Sequence, residues 1–131
     1  MINEGTAIIT GLFIILIHWL SDFHMQTHEM SMNKSKSNFW LTMHILVYTS
    51  VTLLFWHLVL FQPAGNYHLP DYIKFFSFIF GTHWITDYVT SRMTSKRYAE
   101  GKFHDFFVIV GFDQFLHYTQ LFTAYYLFIQ R

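Results

Sequence analysis

Histidine and aspartate residues lie four positions apart at three places in this sequence. The pairs are His18 and Asp22, His83 and Asp87, and Asp113 and His117. Random placement of the nine His and five Asp residues would give about 0.7 such pairs. Residues four apart lie on one face of an α-helix. Each pair can therefore hold a metal ion jointly or form a buried hydrogen bond.

A fourth imidazole, that of His44, lies in an otherwise apolar stretch of the chain. We expect a divalent metal, zinc first and manganese or iron(II) as alternatives, because mixed nitrogen and oxygen ligands suit these ions. The expected set suffices for one or two ions, and its members are His18, Asp22, His44, His83, Asp87, Asp113 and His117. The other interpretation is that His–Asp hydrogen bonds between helices stabilise a membrane bundle.

Two of the carboxylates and one amide are candidates for catalysis. Asp22 or Asp113 is expected to act as a general base, which takes a proton from a metal-bound water. Gln26 follows Asp22 by one helical turn and lies on the same face, where it can orient a ligand or the attacking water.

The elements that position these residues follow from the composition. The chain has 131 residues, of which 53% are hydrophobic and 12% charged, whereas soluble domains carry about 25% charged residues. Four long apolar stretches predict one all-α transmembrane domain over residues 1–131. It is an antiparallel up-down bundle of four helices near residues 5–27, 38–61, 71–93 and 105–130. The absence of cysteine excludes disulfide scaffolds and iron–sulfur clusters.

The basic residues predict the orientation, because lysine and arginine are concentrated in cytoplasmic loops. The connections after the first and third helices hold six of the eight basic residues, namely Lys34, Lys36, Arg92, Lys96, Arg97 and Lys102. Both termini and the turn at residues 63–70 are then expected on the non-cytoplasmic side. All seven candidate ligands fall in the cytoplasmic half of the bilayer. Lys34, Lys36 and Arg92 are weaker candidates for holding a substrate phosphate.

The spaced motifs resemble those of a family of small phage and bacterial integral membrane proteins, catalogued as a domain of unknown function. The resemblance covers nearly the whole chain and rests on HWLSDF with Gln26, His44, HWITDY and DQFLH. It implies an integral membrane protein, of the bacterial inner membrane, encoded by a phage or a bacterium. That family is loosely similar to membrane-bound metal-dependent hydrolases, which implies a hydrolase by analogy.

The sequence therefore predicts an integral membrane metalloprotein, with hydrolysis of a lipid or phosphate-containing substrate as the favoured activity. Transport or binding of metal ions is the first alternative. A phage accessory protein that acts on a host membrane protein is another, and a haem-binding bundle is a third, less favoured because of the aspartates. Membrane lipids are the expected partners, and an oligomer is compatible with the sequence. Eight basic and eight acidic residues do not favour nucleic acid.

Overall fold

The computed structural model describes residues 4–62, 65 and 67–130, and the regular secondary structure within these is all helical, with no strand. Helix α1 spans Glu4–Trp19 and continues as a π-helical turn, Leu20–His24. Helix α2 spans His28–Asn33. Helix α3 spans Asn38–Trp56 and continues as a second π-helical turn, His57–Phe61. Helix α4 spans Leu69–Ala99, and α5 spans Phe103–Phe128.

The all-helical prediction is confirmed, but the described residues form five helices rather than four. The additional helix is α2, within the connection that was expected to be a loop. It begins after Thr27, whose side chain accepts a hydrogen bond from the amide of Met30 at 3.3 Å, an arrangement typical of helix N-termini. The first predicted helix therefore ends at His24 rather than at residue 27.

Helix α4 is longer than the predicted segment 71–93 at both ends. It ends at Ala99 because Gly101 adopts a left-handed conformation, φ 69°, and the Lys102 amide bonds the Arg97 carbonyl at 3.0 Å. This backbone arrangement is a common C-terminal cap that favours glycine. Of the turn predicted at residues 63–70, Pro63, Ala64 and Asn66 lie outside the described residues.

The apolar core fills the half of the helix assembly that is remote from α2. Helix α4 packs along α5 and against α3, and α1 contacts both α3 and α5. Trp56, Phe61 and Phe75 are at most 1% exposed, and the rings of Trp56 and Phe75 have centroids 4.8 Å apart. The polar residues of the predicted site lie beyond this core, toward α2. The buried apolar residues and the buried polar residues therefore lie at different levels along the helices.

The outer surfaces of all four long helices are apolar. Leu12 on α1, Leu54 on α3, Ile85 on α4 and Phe112 on α5 are each more than half exposed. Large contiguous apolar surfaces are uncommon on soluble monomers. Among the described residues, Glu4–His24 and Asn38–Phe61 are long and apolar enough to cross a membrane. Two candidate spans are thus present, where four were predicted.

Candidate metal centre

The first two candidate residues come from the end of α1, where the helix changes to a π-helical turn. His18 lies in the last turn of α1, and Asp22 lies inside the π-helical turn. His18 Nε2 is 3.7 Å from Asp22 Oδ2, and both side chains are buried. Short π-helical turns are frequent at functional sites because the extra residue shifts side chains relative to the helix.

Three helices bring four buried residues together. These residues are Asp22, His44, His83 and Asp87, and each offers one ligand atom within 4.8 Å of the others. His44 Nε2 lies 3.0 Å from Asp22 Oδ1 and 3.3 Å from Asp87 Oδ2. His83 Nε2 lies 3.6 Å from Asp22 Oδ1 and 3.5 Å from Asp87 Oδ1. We call these four residues the primary group.

The spacing of the primary group fits the coordination sphere of one metal ion. With metal–ligand bonds of about 2.0–2.1 Å, tetrahedral geometry places neighbouring donor atoms about 3.3–3.4 Å apart. The four nitrogen–oxygen separations in the primary group run from 3.0 to 3.6 Å and bracket that value, with Asp87 facing His44 through Oδ2 and His83 through Oδ1. Two imidazoles with two carboxylates also match the ligand types that zinc, manganese and iron(II) accept. The residues present can therefore hold a divalent ion.

The imidazole of His83 is a second observation that fits a metal ion at this place. It is 1% exposed, and neither ring nitrogen has a hydrogen-bond partner among the described residues. Buried polar groups are nearly always satisfied, so an imidazole without a partner calls for an explanation. A metal ion between His83 Nε2 and the two carboxylates would supply it.

His117 and Asp113 extend the cluster toward α5. His117 Nε2 lies 3.2 Å from Asp87 Oδ1, and its Nδ1 lies 3.4 Å from Asp113 Oδ2. Asp87, Asp113 and His117 therefore form a second possible metal-binding group. Asp87 belongs to both groups, and such a carboxylate can bridge two metal ions.

His18 is placed differently from the other histidines, because other side chains already engage its two ring nitrogens. Nε2 lies 2.9 Å from Gln114 Oε1, and Nδ1 lies 3.3 Å from the Tyr48 hydroxyl. His18, Asp22 and His117 form a third possible metal-binding group. His18 would have to exchange its contact with Gln114 for a metal bond, which makes it the least available imidazole of the four.

Lys34 lies in contact with the primary group. Its ammonium donates to Asp87 Oδ2 at 2.8 Å, and Nζ lies 3.3 Å from His44 Nε2. Burial by itself would lower the pKa of Lys34, but the carboxylates of Asp87 and Asp22 outweigh burial and raise it. Lys34 is therefore a cation at neutral pH, although its side chain is only 20% exposed.

A cavity of about 200 Å³ connects the cluster with the surface near α2. Its polar wall includes Asp22, Asp87, Asp113 and Lys34, and Gln26 lines it as well. Asp113 is the most exposed of the three carboxylates in the cluster, with 16% of its side chain accessible. The cavity has room for a small polar group.

The other two basic candidates lie outside the cavity wall. The Arg92 guanidinium stacks on the Tyr88 ring at 3.8 Å and donates to Asn38 Oδ1 at 2.8 Å. Lys36 is exposed on the turn after α2. The cluster thus brings together the seven candidate ligands with Lys34 and Gln26, but not Lys36 or Arg92.

Sequence reasoning did not single out Tyr48 or Thr90. Tyr48 contacts His18, and the ring centroids of Tyr48 and His83 are 3.8 Å apart. Its position one turn after His44 was the available signal. Thr90 Oγ1 lies 2.5 Å from Asp113 Oδ1. Threonine is common in membrane helices, so its type alone gave no signal.

The chain belongs to the family described as Protein of unknown function (DUF3307), whose profile matches residues 10–131. This confirms the resemblance to a domain of unknown function. The similarity to hydrolases is not part of that match. No curated protein and no solved structure matches the chain significantly.

Proposed function

We propose that this protein is an integral membrane metalloenzyme that hydrolyses a phosphate-bearing lipid headgroup at one face of the bilayer. The observation that carries the proposal is the primary group. Its buried histidine and aspartate atoms are spaced like the ligands of one ion, and His83 has no hydrogen-bond partner among the described residues. A hydrolase also needs access for its substrate, and the cavity beside the primary group gives access to a small polar group.

Membrane insertion is supported by two kinds of observation. Two helices have the length and apolarity of membrane spans, and α4 and α5 carry exposed Ile85 and Phe112 at positions that would face lipid. We propose that all four long helices cross the membrane as an up-down bundle. The turn after α2 and the last part of α4 with the turn at Gly101 hold six of the eight basic residues. These parts then lie in the cytoplasm, and both termini lie on the other side.

The polar residues of the cavity can carry the proton transfers of hydrolysis. A metal ion held by the primary group would lower the pKa of a water in the cavity and polarise the phosphoryl group. Asp113 lines the cavity and is proposed to accept the proton of the attacking water. The water oxygen bonds to phosphorus, the phosphorus–oxygen bond to the lipid alcohol breaks, and the leaving oxygen takes up the proton that Asp113 accepted from the water. Gln26 lies on the same wall and would orient the water.

Metal transport would require access from both sides of the membrane. The half of the bundle remote from α2 is filled by Ile14, Trp56, Phe61 and Phe75, each at most 1% exposed. The cavity opens on the α2 side. The packing therefore favours a one-sided site over a transport path.

A hydrolysis assay tests the proposal. The protein, purified in detergent and loaded with zinc or manganese, is mixed with phosphatidate micelles, and released inorganic phosphate is measured. We expect metal-dependent turnover that falls about 10²–10⁴-fold in Asp113→Asn, the usual cost of removing a general base. Asp105→Asn is the matched control, because Asp105 lies in the first turn of α5 and its side chain is 50% exposed. Metal binding without turnover on any phospholipid would contradict the hydrolase proposal.

A further inference from the structure

The position of Lys34 conflicts with a metal ion in the primary group. Its Nζ is 2.8 Å from Asp87 Oδ2 and 3.3 Å from His44 Nε2, and those two atoms are 3.3 Å apart. An ion bonded to both atoms at about 2.1 Å would lie within about 4 Å of that nitrogen on either side of the pair. An ammonium and a divalent cation repel strongly at that distance, most of all away from water.

The ammonium nevertheless has a clear electrostatic role. The Asp87 side chain is 3% exposed, and a buried carboxylate requires a cation or hydrogen-bond donors close by. Lys34 provides both at 2.8 Å. Lys34 thus occupies the position of a counter-ion for the carboxylate that a metal would otherwise neutralise.

The position of Lys34 in the chain allows its side chain to move away from Asp87. The residue lies in the turn that follows α2, outside the long helices. Its side chain is 20% exposed and lines the cavity. Rotation of a long, flexible side chain into this cavity requires no change in helix packing. The Lys34 ammonium beside Asp87 can therefore be exchanged for another cation.

We propose that Lys34 is a built-in counter-ion that competes with the metal, pairing with Asp87 in the metal-free protein and moving into the cavity when a metal ion binds. The inference rests on the proposed metal site, and it makes Lys34 a positioning residue that sets metal affinity. Removal of the lysine charge should then strengthen metal binding. Loss of a residue with only a structural role would weaken it.

Zinc affinity of the full chain in detergent, measured by competition with a chelator, tests this proposal. We expect Lys34→Gln to bind zinc about tenfold more tightly than the unaltered protein, within the usual range of coupling between two ligands. Lys34→Arg keeps the charge and should not gain affinity. Lys36→Gln, two residues along the same turn, is the control and should not change it. Equal or weaker binding by Lys34→Gln would overturn the proposal.

A thermal measurement covers the case in which Lys34→Gln is unstable without metal. The variant is then purified with zinc, and melting temperatures are compared before and after chelation. We expect zinc to raise the melting temperature more in Lys34→Gln than in the unaltered protein, because tighter binding stabilises more. An equal or smaller rise overturns the role of Lys34 but leaves the metal site standing. Failure of the unaltered protein to bind any divalent metal would instead overturn the proposed function.

Discussion

His44 Nε2 lies 3.0 Å from Asp22 Oδ1, the shortest imidazole–carboxylate contact among the described residues of the cluster. The contact joins the second turn of α3 to the π-helical turn at the end of α1. Both side chains are at most 4% exposed. Two potential ligands are thus held face to face by helix packing, which is the preorganisation that tight metal binding needs.

The first prediction compares the effects of replacing His83 and His18 on zinc affinity. His83→Gln should weaken zinc binding by more than 100-fold, because it removes a ligand whose nitrogens have no hydrogen-bond partner among the described residues. His18→Gln should cost about 10–100-fold, the range for residues that support ligands, because His18 already contacts Gln114 and Tyr48. Chelator competition measures both. A larger loss in His18→Gln than in His83→Gln would show that the primary group is misassigned.

The second prediction concerns the carboxylates. Asp87 contacts His44, His83 and His117, so Asp87→Asn should abolish stoichiometric metal binding. Asp113→Asn should retain at least one bound ion, because Asp113 is not part of the primary group. Metal content per protein, measured by elemental analysis after desalting, gives the comparison. Loss of the bound metal in Asp113→Asn but not in Asp87→Asn would locate the principal site on α5 instead.

The third prediction tests membrane insertion of α4. Ile85 is 65% exposed, and on a soluble protein its replacement by lysine would change stability by no more than about 0.5 kcal/mol. In lipid, the same replacement costs about 2.5–3.5 kcal/mol near the centre of a span. Ile85→Lys should therefore reduce the amount of protein in washed membranes, whereas Ser95→Lys, in the last part of the same helix, should not. Equal membrane yields for the two variants would argue against α4 as a span.

The fourth prediction concerns the turn between α4 and α5. Gly101 has φ 69°, so Gly101→Ala should destabilise the protein by about 1–2 kcal/mol. Gly81 lies within α4, and an added Cβ there meets nothing within 4 Å. Gly81→Ala should be neutral or stabilising by up to about 1 kcal/mol. The melting temperature should thus fall in Gly101→Ala and should not fall in Gly81→Ala. A fall in Gly81→Ala alone would contradict this prediction.

Spacing in the sequence predicted that the His–Asp pairs come together, because helical periodicity fixes which face each pair occupies. The pairs at positions 18 and 22, 83 and 87, and 113 and 117 all meet in one cluster. Spacing within one helix cannot show how the ligands divide between groups, since that depends on how the helices pack. His18 therefore looked equivalent to His83 in sequence, although its nitrogens contact Gln114 and Tyr48.

The prediction of the fold succeeded for the long apolar segments and failed for short segments. The segment predicted at residues 38–61 matches the helical span Asn38–Phe61. Helix α2 escaped prediction because His28–Asn33 is too short and polar to show a periodic pattern. The direct contact of Lys34 with Asp87 depends on how α2 folds back over the cluster, so the sequence alone could not reveal it.

Metal content of the purified protein tests the central claim most directly. The unaltered chain and His83→Ala are purified in detergent, incubated with zinc, desalted, and analysed for zinc per polypeptide. The account predicts at least one equivalent of zinc in the unaltered chain and a clear loss in His83→Ala. His57→Ala, which removes an imidazole that bonds Tyr72 away from the cluster, should keep its zinc. No bound metal in the unaltered chain, or undiminished zinc in His83→Ala, would contradict it.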